Sequence, residues 1–92
     1  LDGRAIEAGQ SLGFLDRRLV ANTGSPETAL HQVLDTLDSP HRYLLTIYYG
    51  DEVSAGEAAA MAAALRTRPD EPEVEMVWGG QPLYPFLGSV EI

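Results

Sequence analysis

The segment "HRYLLTIYYGDEVSAGEAAAMAAALRTRPDEPEVEMVW", His41 to Trp78, constrains the fold more than any other part of the chain. It opens on a run of β-formers in which Leu44, Leu45 and Ile47 are apolar on both faces. This reads as a buried central strand over Tyr43–Tyr49, closed by Gly50. Ser54 followed by Glu57 forms a capping box. Behind it, Ala58, Met61, Ala62 and Leu65 make a buried stripe, and Arg66 and Arg68 suit the negative end of a helix over 54–68. "PDEPE" reads as an exposed loop and "VEMVW" as a strand over 73–78. Two strands joined through a helix of this length run parallel, with a right-handed crossover.

The flanking segments add to this unit. "SPETALHQVLDTL" carries an N-cap at Ser25, Pro26 in the first turn, and an apolar stripe of Leu30, Val33, Leu34 and Leu37. Pro40 is expected to stop this helix. "SLGFLDRRLVA" reads as a β-hairpin turning at Asp16–Arg17, without the usual glycine. Leu1 to Gln10, punctuated by Asp2–Gly3 and Gly9, reads as a leading loop. "YPFLGSVEI" is a last strand, with Pro85 at an edge or at its start. The expected order is β-β-α-β-α-β-β. The expected class is α/β (α+β), a two-layer sandwich with a mixed sheet and both helices packed on it.

Composition narrows the partners. With 92 residues, the expectation is a single domain over 1–92, and a chain beginning at Leu1 is expected to be a piece of something longer. Net charge is −8, from 14 acidic residues against six arginines and no lysine. No basic patch is available for nucleic acid or an anionic membrane surface, whereas a basic protein partner is compatible. No apolar run approaches the ~20 residues of a membrane span. Cysteine is absent, which removes disulfides and thiol nucleophiles and makes a cytoplasmic location the simplest expectation.

In a βαβ unit the carboxyl ends of both strands emerge at one sheet edge, where ligands of open α/β sheets bind. That edge collects "YYGDE" and "GGQP". Gly79 and Gly80 would permit positive φ and close backbone approach, Gln81 offers a donor and an acceptor, and Gly50 and Pro82 belong to the same expected contact edge. Tyr48, Tyr49, Trp78 and Tyr84 supply amphipathic aromatic surface, although Tyr48 and Trp78 read equally well as core. Gln81 and Tyr84 are the residues that turning alone does not explain. Other features point to structure. His31, expected on the outer face of its helix, and His41 lack partners at metal-ligand spacing. Asp51 and Glu52 precede a helix N-terminus, Ser54 is a cap, and Asp70, Glu71, Glu73 and Glu75 read as a solvated face. No catalytic constellation and no metal site is expected.

"LLTIYYGDEVSAGEAAAMAAAL" and "EVEMVWGGQPLYPFLGSVE" together resemble the C-terminal domain of the fatty acid kinase A subunit family, the Dak2-domain or dihydroxyacetone-kinase-related proteins. "IEAGQSLGFLDRRLVA" is similar to that family's opening hairpin, where the family commonly has Asp-Gly and this chain has Asp16 followed by Arg17. "GDEV" keeps the family's paired acids, and the resemblance runs from about Gly3 to Ile92. It implies a longer kinase chain whose N-terminal domain binds ATP and Mg²⁺, with a middle domain and then this one. It implies that the parent phosphorylates a fatty acid held by a separate DegV-like acyl-binding protein, and that this domain, itself distantly DegV-like, engages that partner. The nucleotide-binding aspartates are not in this chain, so no cofactor is expected here. The alternative expectation is a small-molecule-binding or catalytic domain of dihydroxyacetone (glycerone) kinase type. A third is a homodimerisation domain.

Overall fold

A period of two over "RAIEA" places Ile6 and Ala8 on one side of a strand and Ala5 and Glu7 on the other. In a computed structural model, which describes residues 4–9, 12–37 and 42–91, this segment is strand β1 (Arg4–Ala8). The leading loop expected there is therefore corrected. Two alanines and a flanking glycine weaken the local β signal, but β1 is held by ladders on both sides, to β2 and to β6. The strands β2 (Leu12–Leu15) and β3 (Arg18–Asn22) form the expected hairpin, with a bulge in register near Gly13. Its turn residues Asp16 and Arg17 have φ of 51° and 66°, the left-handed region that glycine usually fills. Asp16 compensates by tying the turn to β1. Its carboxylate accepts from the Ala5 amide (3.0 Å) and from Arg4 Nε (2.8 Å).

Helix α1 (Pro26–Asp35) begins at the Ser25 cap and buries Ala29, Leu30, Val33 and Leu34. Thr36 caps its end, and the Pro40 and His41 expectations lie outside the described residues. Strand β4 (Leu44–Tyr49), helix α2 (Ala55–Arg66) and strand β5 (Glu73–Trp78) follow as expected, with the capping box formed and β4 parallel to β5. Strand β6 (Phe86–Glu91) begins just after Pro85 and pairs antiparallel with β1 and β4. The sheet has six strands in the order β3-β2-β1-β6-β4-β5.

α1 packs on β1, β2 and β3, and α2 packs on β5. Both contribute to one core with Ile6, Leu45, Ile47, Phe86 and Val90. Strand β4 is interior to the sheet, yet only one of its faces is covered. Leu45 and Ile47 are buried under the helices, while Leu44 and Thr46 are half-buried on the other face and Tyr48 is exposed there. The expectation that both faces of β4 are buried is corrected accordingly.

Candidate functional site

The two loops expected to meet at the carboxyl edge of β4 and β5 do meet, at hydrogen-bond distance. Gly79 N and Gly80 N both donate to Tyr49 O (2.9 and 3.2 Å), Gly50 N donates to Pro85 O (2.8 Å), and Asp51 N donates to Gln81 O (3.1 Å). Gly50 is buried, and a Cβ there would lie 2.7 Å from both Gln81 O and Tyr84 O, so no side chain fits. Gly80 has φ +70°, and a Cβ on it would meet the Trp78 ring at 2.8 Å. The indole therefore lies over bare backbone.

Gln81 closes this platform. Its Nε2 donates to Tyr48 O (2.7 Å) and to Tyr84 O (3.1 Å), which uses both amide hydrogens inside the protein. Tyr49 and Tyr84 are half-buried, Pro82 is exposed, and the space enclosed by the Gly50–Glu52 and Gln81–Pro85 segments is ≈ 10 Å³, room for about one water. What the platform holds outward is apolar. Trp78 is 66% and Leu83 83% exposed, and Tyr48 and Val77 stand beside them. Leu83 lies within the Gly79–Tyr84 segment expected at this edge but was not singled out there as a contact. Its signal is its place in a short loop between Pro82 and Pro85, which leaves no path back to the core.

A second cluster lies at the opposite end of the sheet. Arg68, whose side chain is only 9% exposed, donates to Asp35 (2.7 Å), to both Asp70 oxygens (3.0 and 3.2 Å), and to the carbonyl of His31 (3.2 Å). It also lies 2.9 Å from His31 Nδ1. Arginine has only donors, so Nδ1 must accept and His31 is neutral with its proton on Nε2. Burial and then the Arg68 charge hold the His31 pKa below its ordinary value. Tyr43 Oη donates to Asp70 Oδ2 (2.6 Å). Burial raises the Tyr43 pKa, and the bond to Asp70 adds to the shift. Burial opposes ionisation of Asp70, but the hydrogen bonds from Arg68 and Tyr43 outweigh it and hold the carboxyl below its ordinary value. Two expectations are thereby corrected. His31 faces Arg68 rather than solvent, and Asp70 belongs to an ion-pair network rather than to a solvated acidic face. The cluster ties α1, the end of α2 and the start of β4 together.

Asp51 and Glu52 lie in the turn before α2, as expected. Glu52, Glu27 and Glu57 rim a cleft of ≈ 250 Å³ floored by Val53, Pro85 and Phe86. Among the described residues no group of three or more His, Cys, Asp or Glu side chains is placed to hold a metal ion, and no helix is long and apolar enough to cross a membrane.

Fold and platform define an α+β module with an apolar edge carried on hydrogen-bonded loops. Residues 1–91 match the FakA-like C-terminal family, the C-terminal domain of fatty acid kinase A-like subunits, and the chain belongs to that family. It is 31% identical over 91 residues to protein YloV of Bacillus subtilis (strain 168), covering 99% of this chain and 16% of the relative. It is 24% identical over 91 residues to uncharacterised proteins of Staphylococcus aureus, among them those of strains bovine RF122 / ET3-1 and USA300, covering 99% of this chain and 17% of each relative. The chain thus spans about one sixth of the length of these relatives.

Proposed function

We propose that this is a non-catalytic docking domain of a fatty acid kinase A-like protein. It engages the acyl-binding partner, so that the ATP-dependent remainder of the kinase can phosphorylate the bound fatty acid. The contact edge is the platform of Tyr48, Tyr49, Gly50, Gly79, Gly80, Gln81, Pro82 and Tyr84. The observation that carries this reading is the exposure of Trp78 and Leu83 on a loop pair locked by backbone hydrogen bonds. Large apolar side chains presented on a backbone that is already hydrogen-bonded leave less backbone ordering to be done on binding, which favours interface anchors. Gln81 serves that role from inside, as the clamp that sets the platform's shape. The small-molecule alternative finds less support within the platform, where the Gly50–Glu52 and Gln81–Pro85 segments enclose only ≈ 10 Å³; it would need the acid-rimmed cleft of ≈ 250 Å³ beside Glu52 and Pro85.

The test is calorimetric titration of the 92-residue chain with a DegV-like acyl-binding protein. Leu83→Ser and Trp78→Ala should each weaken binding about tenfold, the effect of losing a moderate anchor. Leu83→Ser is a cleaner probe than Gln81→Ala, because the Leu83 side chain is 83% exposed, whereas the Trp78 ring also lies over Gly80. Absence of binding by the unaltered chain, or unchanged affinity in both variants, sinks the reading.

A further inference from the structure

The open face of the sheet, opposite the helices, continues from the platform. Register places one residue from every strand in a single row across that face: Leu19, Phe14, Glu7, Leu87, Tyr48 and Val77, from β3 to β5. All but Glu7 are apolar or aromatic. Leu19, at the far end, is 57% exposed. With strands spaced about 4.8 Å apart, the row is about 24 Å long. The next rows change character. Ala5, Ser89, Thr46 and Glu75 form one, and Glu91, Leu44 and Glu73 the other. An apolar band beside the loops therefore grades into an acidic margin. The arginines within the strands, Arg4 and Arg18, stand opposite Val90 and Leu15 on the helix side, so they do not neutralise it. Among the described residues Glu7 has no ion-pair partner, although it sits half-buried between Phe14 and Leu87.

We infer that the docking footprint extends from the platform across this open face. It takes a protein surface of apolar side chains ringed by arginine or lysine, with one basic group directed at Glu7. This rests on the docking reading above and adds the partner's surface chemistry. Charge selects the occupant. A second copy stacked face to face would bring two acidic margins together, and an anionic lipid surface would be repelled.

The experiment titrates the same acyl-binding protein into the chain and into Leu19→Ser, Glu7→Gln and Glu75→Gln, at low and high salt, with circular dichroism melts to verify folding. Leu19 lies five strands from Val77 and touches nothing on the platform, so Leu19→Ser isolates the far end of the row. The expected results are about tenfold weaker binding for Leu19→Ser. The two glutamine variants should bind more weakly at low salt and show less dependence on salt than the unaltered chain. If Leu83→Ser weakens binding while Leu19→Ser, Glu7→Gln and Glu75→Gln match the unaltered chain, the footprint ends at the platform. The inference then fails while the docking reading stands. If the unaltered chain does not bind, both fail. If light scattering shows the chain dimeric and Leu19→Ser monomeric, the occupant is a second copy and the inference is overturned.

Discussion

Replacing Gln81 by alanine removes two hydrogen bonds at once and leaves the backbone bonds of the platform in place. The bond to Tyr48 O is short (2.7 Å) but exposed, so water can replace it; the bond to Tyr84 O (3.1 Å) is part-buried. A neutral hydrogen bond contributes about 0.5–1.5 kcal/mol net, and taking the low end for the exposed bond gives a cost of about 1–2 kcal/mol in all. For a domain of this size that lowers Tm by about 5–12 °C. Gln81→Glu sharpens the test. An ionised carboxylate has no donor and would set its oxygens against two carbonyl oxygens, so it should cost more than alanine at neutral pH. Protonation restores one donor, so the deficit relative to wild type should shrink as pH falls towards the carboxyl pKa, about 4.3 in a model peptide. The assay is thermal unfolding by circular dichroism at neutral and acid pH, with amide exchange at Gly50 and Asp51 as the local readout. A Gln81→Ala protein that melts within about 1 °C of wild type, well inside the shift expected for a lost hydrogen-bond pair, would refute the clamp.

Other perturbations follow from the same geometry. Arg17→Gly should stabilise the chain by about 0.5–1 kcal/mol, since relief of the left-handed φ outweighs glycine's extra unfolded-state entropy; chemical denaturation reads the sign, and a loss of stability would contradict it. Gly50→Ala should destabilise by about 1–3 kcal/mol, because a methyl there must push two carbonyl oxygens aside; a wild-type melting curve would show that the loops are less tightly joined than described. Stability should fall with acid in two stages. His31 has a folded pKa below its unfolded value of about 6.5, so its contribution is complete above that pH and is lost as pH falls below it. Asp70 and Asp16 have lowered folded values too, Asp16 first through its hydrogen bond to Arg4, so their contributions are complete above about pH 4 and are lost as pH falls through the folded pKa values. A urea midpoint lower at pH 5.5 than at 7.5 in wild type, with His31→Gln showing no such drop, is the expected result; equal drops in both would remove His31 from the account.

Much of this architecture was legible in the residues. The caps at Ser25 and Ser54 and the stripes behind them depend on contacts within a few residues, so they could be read along the chain. The parallel pairing of β4 and β5 followed from connection length, and the meeting of the two loops followed from that pairing. Strand β1 was not legible, because alanines and glycines hide a strand whose stability comes from two neighbours distant in sequence. The roles of Gln81 and His31 were hidden for a related reason. A side-chain amide or an imidazole near a turn or on a helix has many uses, and which one it has depends on atoms that arrive from another element.

The sequence by itself determined which segments become helices and strands around the β4–α2–β5 unit, and that two of its loops would share an edge. Local propensity and connection length are properties of short stretches, and they survive any tertiary arrangement. Only the tertiary structure decided which strand residues lie on the uncovered face, leaving Leu19, Tyr48 and Val77 in water, and that Gln81 turns inward while Trp78 and Leu83 turn out. Strand alternation presents two faces without saying which is covered. That choice is made when α1 and α2 bury their stripes in one core.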